Sequence, residues 1–158
     1  MKVGFGYDVH KLAPNESFIL GGIQIESDIG TVAHSDGDVL AHAIIDAILG
    51  AAGLGDIGDH FPDTDMKYKN CNSMELLAKC VELVRKNNFV IGNIDATINL
   101  EKPKLYTYKE AMKNSIAKVC EIESTNVNIK ATTNEKMGFV GRNEGIAVYC
   151  VCMIIQRV

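Results

Sequence analysis

A chain of 158 residues, 47% of them hydrophobic, is long enough for one domain with a buried core and too apolar to be disordered. Sixteen Lys and Arg against twenty Asp and Glu leave a net charge of -4, which excludes a general electrostatic attraction to nucleic acid or anionic lipid. Any phosphate site must be local, and the expected partners are small molecules, with no nucleic acid and no membrane.

The first residues lead straight into a strand without the apolar core of a leader sequence. Residues 2–10 alternate with a period of two, Val3, Phe5, Tyr7 and Val9 against Gly4, Gly6, Asp8 and His10. Asp8 and His10 therefore point the same way, with Cα atoms about 6–7 Å apart. A carboxylate and an imidazole so placed can share a metal ion; taken alone, they are better accounted for as a surface pair at a strand end. Residues 11–33 read as a loop with a small hairpin, 18–20 and 23–25 flanking the turn Gly21-Gly22 beside the main sheet.

The richest stretch is His34-Ser35-Asp36-Gly37-Asp38-Val39-Leu40-Ala41-His42. It opens a helix predicted over 36–52, capped by Ser35 or Asp36 and stopped near Gly53. Asp38, His42 and Asp46 share one side of it. His34 lies in the loop at its positive end, which favours phosphate. Alone, His42 is a satisfied histidine on an apolar helix. With Asp8 and His10 it completes a donor set for zinc with an open fourth position, and manganese or cobalt would substitute.

Residues 53–65 are rich in Gly and Asp. They form a surface loop, or one in which Asp56 and Asp63 accept hydrogen bonds from a ribose or polyol. An amphipathic helix over 73–87, capped by Asn72 or Ser73, packs through Leu76, Leu77, Cys80, Val81 and Val84. A strand follows over 88–100, with Val90, Ile94, Ala96 and Ile98 on one face, then a turn over 101–105. A third helix covers 108–121, with Ala111, Met112, Ile116 and Val119 inward. Strands close the chain over 127–133 and 145–158, the last apolar on both faces over part of its length. The connector between them concentrates Thr132, Thr133, Glu135, Lys136 and Arg142. Its hydroxyls and N–H groups can hold a diphosphate and its carboxylate the accompanying magnesium, unless it is only a charged link.

The five cysteines are odd in number and form no C-x-x-C pair, which argues against disulfides or a zinc knuckle and for a cytoplasmic chain. Cys150 and Cys152 share one strand face and are expected as buried thiols. The longest apolar run, 146–155, is too short to span a bilayer. The element order predicts an α/β fold in a single domain, 1–158: a mixed sheet of about four long strands, three helices on one face, and a small hairpin. The other face also carries apolar residues with no helix left to cover it, so burial in an oligomer is expected.

Several runs resemble the 2-C-methyl-D-erythritol 2,4-cyclodiphosphate synthase family: Gly-Tyr-Asp-Val-His (6–10), Ala-His-Ser-Asp-Gly-Asp-Val-Leu-Ala-His-Ala (33–43), Leu-Gly-Asp-Ile-Gly (54–58), Phe-Pro-Asp-Thr-Asp (61–65), Pro-Lys (103–104), Lys-Ala-Thr-Thr-Asn-Glu-Lys-Met-Gly-Phe (130–139) and Gly-Arg-Asn-Glu-Gly-Ile-Ala (141–147). The likeness runs through the whole chain in order. It implies a homotrimer with active sites between subunits, acting in the non-mevalonate route to isoprenoids. The implied reaction converts 4-diphosphocytidyl-2-C-methyl-D-erythritol 2-phosphate to the cyclic diphosphate and releases CMP.

It also implies roles for residues. Asp8, His10 and His42 match zinc ligands, and Val9 lies between two of them against the substrate. His34 and Thr133 match groups that stabilise the transition state, with Ser35 beside His34. Asp56, Ile57 and Gly58 match a ribose segment; Phe61, Pro62, Asp63, Thr64 and Asp65 match a methylerythritol segment. Leu100, Glu101, Lys102, Pro103, Lys104, Leu105 and Tyr106 match the cytidine wall. Thr132, Thr133 and Asn134 match its phosphate side, with Glu135 the magnesium ligand. Phe139 and Arg142 match residues near the trimer axis. Leu100, Glu101 and Lys102 are bulkier and more charged than the small residues expected in that wall. The substrate's own 2-phosphate would be the nucleophile, which fits a chain without a Ser-His-Asp set.

Overall fold

The computed structural model describes residues 1–62, 64–68 and 71–157. Among the described residues, seven strands and five α-helices follow in the order β1 (Lys2–Pro14), β2 (Ile19–Leu20), β3 (Ile23–Gln24), β4 (Ile29–Val32), α1 (Val39–Ala52), α2 (Ile57–His60), α3 (Ser73–Lys86), β5 (Phe89–Asn99), α4 (Lys109–Cys120), β6 (Val127–Thr132), α5 (Gly138–Gly141) and β7 (Gly145–Gln156). The sheet order is β4-β1-β7-β5-β6, mixed because β5 and β6 alone run parallel. The four long strands and the hairpin β2-β3 are those expected. β4 is a fifth, short edge strand inside what reads as loop, and β1 runs on to Pro14 to pair with it.

α1 is the centre of the core. Ten of its fourteen residues are buried, because it lies between the sheet and α3. It sits unusually close to β1, since Gly4 and Gly6 face it: a Cβ on Gly6 would fall 2.0 Å from the Ala43 carbonyl oxygen, and one on Gly4 1.9 Å from that of Ala47. The small face of β1 is thus the covered one. Val3, Phe5, Tyr7 and Val9 lie on the open side of the sheet with Tyr149, Val151 and Ile155 of β7.

Four sequence expectations need correction. α1 is capped by Asp38, not Ser35 or Asp36. The Asp38 carboxylate is fully buried and accepts N–H bonds from Ala41, Gly21 and Gly22, so it both starts the helix and fastens the hairpin. The first turn of α1 is consequently held by a side-chain carboxylate. In β5 it is Ile91, not Val90, that lines up inward with Ile94, Ala96 and Ile98, because a bulge at Gly92 shifts the register. Ala111 faces outward; Met112, Ile116, Ala117 and Cys120 are the buried face of α4. β7 is buried on one face only, through Ile146, Val148, Cys150, Cys152 and Ile154, with Val151 and Ile155 exposed. The thiols of Cys150 and Cys152 are buried as expected, and all five cysteines are free.

Candidate active site

The period-two pattern of β1 puts Asp8 and His10 on its helix-facing side, and the first turn of α1 puts His42 above them. Asp8 Oδ2 lies 3.0 Å from His10 Nε2 and 3.2 Å from His42 Nδ1. One candidate ligand atom from each residue lies within 4.8 Å of the others, and these three are the metal-competent cluster found among the described residues. Burial raises the Asp8 pKa, but the two imidazoles outweigh it and hold the carboxyl at about 2. Burial lowers the His42 pKa, and Asp8 overrides it, for a net rise.

The surroundings fix which atoms face inward. His10 Nδ1 sits 3.1 Å from the Gly37 carbonyl oxygen, which can only accept, so Nδ1 carries the hydrogen and Nε2 presents a lone pair. His42 Nε2 contacts the Ser73 hydroxyl at 2.9 Å. Two lone pairs and a carboxylate oxygen turned on one point repel each other unless a cation lies among them. This donor set fits a divalent metal.

A cavity of about 380 Å³ opens beside the triad, lined by His10, His34, Ser35, His42, Ile57, Gly58 and Phe61 of the expected site, and by Val32, Ala33, Tyr68, Cys71 and Leu76. The helix α2, expected as loop, forms one wall. Asp56 caps it in a reciprocal pair with Asp59, and Asp46 Oδ1 accepts the Ile57 N–H at 2.8 Å. Desolvation raises the Asp46 pKa. Asp56 is thus a structural cap as well as a candidate ribose acceptor. Pro62, Thr64 and Asp65 follow without lining the cavity; Asp65 Oδ1 accepts the Lys67 N–H. Asp63 lies outside the described residues. The fourth histidine, His60, is held by the Leu54 carbonyl, 2.7 Å from its Nε2.

The remaining candidates gather elsewhere. Leu100, Pro103, Lys104, Leu105, Thr132 and Thr133 line a second cavity of about 90 Å³, together with Ala131. Along the paired strands Asp8 faces Val148, Val148 faces Ile98 and Ile98 faces Ala131, so three strand spacings, about 14 Å, separate the two groups. Glu101 does not face this cavity. Its Oε1 accepts the N–H groups of Asn134 and Lys136 at 2.8 and 3.1 Å. Those bonds brace a turn in which Glu135 and Lys136 adopt positive φ values of 51° and 62°, costly for residues other than glycine. The Thr133 hydroxyl donates to Glu135 Oε1 at 3.3 Å, and Asn134 Oδ1 accepts from Asn99 at 2.9 Å. Lys102 borders a separate hollow with residues 26–29, and Tyr106 projects into solvent. Phe139 packs near Gly145, and Arg142 pairs with Glu144 at 2.9 Å.

Sequence reasoning missed Ser73, Asp36, Asp46, Tyr68, Leu76 and Ala131 as parts of the two groups. Ser73 and Asp36 carried a signal only as helix-start residues, Asp46 only as sharing a helix side with His42, and Leu76 only as a packing residue; Tyr68 and Ala131 carried none, since their roles depend on what lies across the fold.

The chain matches the YgbB family over residues 1–155. It is 53% identical over 155 residues to the 2-C-methyl-D-erythritol 2,4-cyclodiphosphate synthase of Clostridium acetobutylicum, an alignment covering 98% of this chain and 100% of the relative. It superposes on the bifunctional IspDF from Campylobacter jejuni with a TM-score of 0.95 and 50% identity over 98% of its own length; it spans 42% of that longer protein. It also superposes on IspF of Plasmodium falciparum in its CDP complex, with a TM-score of 0.88 and 32% identity over 99% of this chain and 97% of that one. Sequence and fold agree from end to end, and the chain belongs to the YgbB family, together with the 2-C-methyl-D-erythritol 2,4-cyclodiphosphate synthases to which it aligns.

Proposed function

We propose that this chain, as a single catalytic domain over 1–158, converts 4-diphosphocytidyl-2-C-methyl-D-erythritol 2-phosphate to 2-C-methyl-D-erythritol 2,4-cyclodiphosphate and CMP, the cyclising step of non-mevalonate isoprenoid biosynthesis. Membership of the family over its full length supports the reaction. The observation that carries the site is the convergence of Asp8, His10 and His42 beside a cavity that also holds His34 and Ser35.

Asp8, His10 and His42 would hold one divalent metal, zinc first and manganese or cobalt as substitutes for the same nitrogen and oxygen donors. Glu135, exposed on a braced turn, would hold magnesium through the substrate diphosphate. Bound there, the zinc would polarise the β-phosphate and the magnesium would offset the charge on departing CMP.

The chain's own contribution is to bend a flexible substrate. Its 2-phosphate oxygen forms a bond to the β-phosphorus, and the bond from that phosphorus to the bridging oxygen of CMP breaks. The imidazole of His34 and the hydroxyl of Thr133 would donate to phosphate oxygens as charge shifts across them. Asp56, Ile57 and Gly58 would meet the ribose, and Phe61, Pro62, Asp63, Thr64 and Asp65 the methylerythritol, with Ser35 beside the metal; Val9, whose side chain turns to the open sheet face, would take part only through its backbone, where its N–H donates to Asp8 Oδ1. Leu100, Glu101, Lys102, Pro103, Lys104, Leu105 and Tyr106 would wall the cytidine, with Thr132 and Asn134 at its phosphates. The bracing role of Glu101 makes its part indirect.

A homotrimer with each site shared by two subunits suits the 14 Å gap between the two groups. It suits also the open sheet face, where Val3 is 67% and Phe5 63% exposed. Phe139 and Arg142 would lie near its axis. Five free thiols suit the reducing cytoplasm, and no described helix is long and apolar enough to cross a membrane. Phosphorus NMR of the reaction with the authentic substrate tests the assignment. The cyclic diphosphate and CMP are expected; inorganic phosphate without a cyclic product would make the chain a metal-dependent phosphoesterase instead.

A further inference from the structure

We propose that Ser73 and Asp36 are positioning residues of the metal site, holding His42 in the one tautomer that offers its Nδ1 lone pair toward Asp8 and His10. This rests on reading those three residues as metal ligands, and assigns work to two residues that contact neither metal nor substrate.

The direction of each hydrogen bond follows from what each group can donate. Asp36 Oδ2 accepts the Ser73 backbone N–H at 2.9 Å, and Asp36 Oδ1 accepts the Ser73 hydroxyl and the Asp38 N–H. A carboxylate has nothing to give back. The single hydroxyl proton of Ser73 therefore points at Asp36. Toward His42 Nε2, 2.9 Å away, the same oxygen can only accept. Nε2 must carry the hydrogen, and the neutral ring then has its lone pair on Nδ1, 3.2 Å from Asp8 Oδ2. The Gly37 carbonyl imposes the opposite tautomer on His10. The two imidazoles thus serve one point through different nitrogens.

Burial makes the relay firm. Ser73 is fully enclosed, so no solvent molecule competes for its oxygen. The other hydroxyl near Nε2, Ser35 Oγ, is farther at 3.4 Å and lines the cavity. Asp36 also accepts from the first backbone N–H of α3, where a negative charge is favoured. One carboxylate therefore ties the start of α3, the loop before α1 and a ring on α1 into a single unit. Loss of such an outer partner weakens metal binding by about 10–100-fold.

The test uses the full chain and zinc(II) alone. Affinity is measured by competition with a chromophoric chelator for wild type, Ser73→Ala, Asp36→Asn and the double variant, with His42→Ala as the benchmark for a lost ligand. Imidazole nitrogen-15 NMR at mildly alkaline pH reads the His42 tautomer in the zinc-free and zinc-loaded wild type. Ser73→Ala is expected to bind zinc about 10–100-fold more weakly, and the double variant no more weakly than the worse single one, because the two act in series. Wild-type His42 is expected as the Nε2–H form. A Ser73→Ala protein that is folded and binds zinc like wild type overturns the proposal. So does a wild-type His42 with its hydrogen on Nδ1, a result that needs no variant to fold. Wild type failing to bind zinc would instead defeat the reading of the triad as a metal site, and the zinc-free tautomer would still decide the relay.

Discussion

Gly6→Ala is a one-carbon change that should damage the metal site without touching a ligand. The new Cβ would lie 2.0 Å from the Ala43 carbonyl oxygen and 2.7 Å from the Ala47 nitrogen, both backbone atoms of α1. Restoring ordinary contact at 3.4 Å requires the helix to retreat by about 1.4 Å. No rotamer change can absorb this, because nothing at the clash is a side chain. Asp8 and His10 move with β1 and His42 with α1, so the 3.2 Å between Asp8 Oδ2 and His42 Nδ1 widens by a similar amount. Metal sites keep their distances to about 0.2 Å, and zinc affinity should fall at least tenfold. Overpacking costs about 1–3 kcal/mol, and at roughly 2–4 °C per kcal/mol the Tm should drop by about 2–12 °C. Gly92→Ala is the control. Its Cβ would meet the tips of Met153 and Ile155 at 2.7 and 3.1 Å, flexible ends that can turn aside, and it should stay within about 1 kcal/mol of wild type. Thermal melts and zinc competition read both variants. A folded Gly6→Ala with wild-type Tm and zinc affinity would show that the close approach of α1 does not set the site's geometry.

Four further outcomes are expected. Asp38→Ala strands the N–H groups of Ala41, Gly21 and Gly22, and denaturant unfolding should show a loss of roughly 3 kcal/mol, about 1 for each; an unchanged midpoint would refute the cap. Glu101→Ala releases the turn that carries Thr133 and Glu135, so the magnesium titration of activity should shift to higher concentration while zinc content stays constant. In the metal-free protein Asp8 is depressed to about 2, so its contribution is present above the ordinary carboxylate range and lost as pH falls through 2, whereas that of the raised His42 is present below its ordinary value and lost as pH rises through the folded one. Melts from mildly acidic to mildly alkaline pH should therefore show zinc-free Tm falling and the zinc-induced increment growing, since zinc needs the neutral ring. Finally, His42→Ala and Thr133→Asp should each be nearly inactive, and refolding them together should restore roughly one site in four if each site joins two subunits; verified mixed trimers as inactive as their parents would put the whole site in one chain.

The Asp8, His10 and His42 cluster was legible in the sequence because each part has a local signature. Alternation put Asp8 and His10 on one face, and the helical stripe after Asp38 fixed His42 on a rigid element. The cap of α1 was not, since Ser35, Asp36 and Asp38 are all competent. What decides is tertiary, the two glycine N–H groups of the hairpin that only Asp38 reaches. The relay through Ser73 was hidden for the same reason, its imidazole being 31 residues away. Period two also says that a strand has two unlike faces without saying which is covered. In β1 the glycine face won because backbone-to-backbone contact with α1 needs room for no side chain. Ile91 and Val90 exchanged places because one inserted residue at Gly92 reverses every side chain before it.

The outward turn of Val3, Phe5, Tyr7 and Val9 would make this protein's behaviour depend on how much of it is present, were other copies of the chain to cover that face. If that face is closed by sister chains, assembly and folding are linked by mass action, and the melting temperature must rise with protein concentration. Dilution would then inactivate the enzyme without any denaturant, and a newly made chain would carry an adhesive sheet until it met its partners. Supply of subunits, rather than the strength of any one contact, would set how long each chain spends vulnerable.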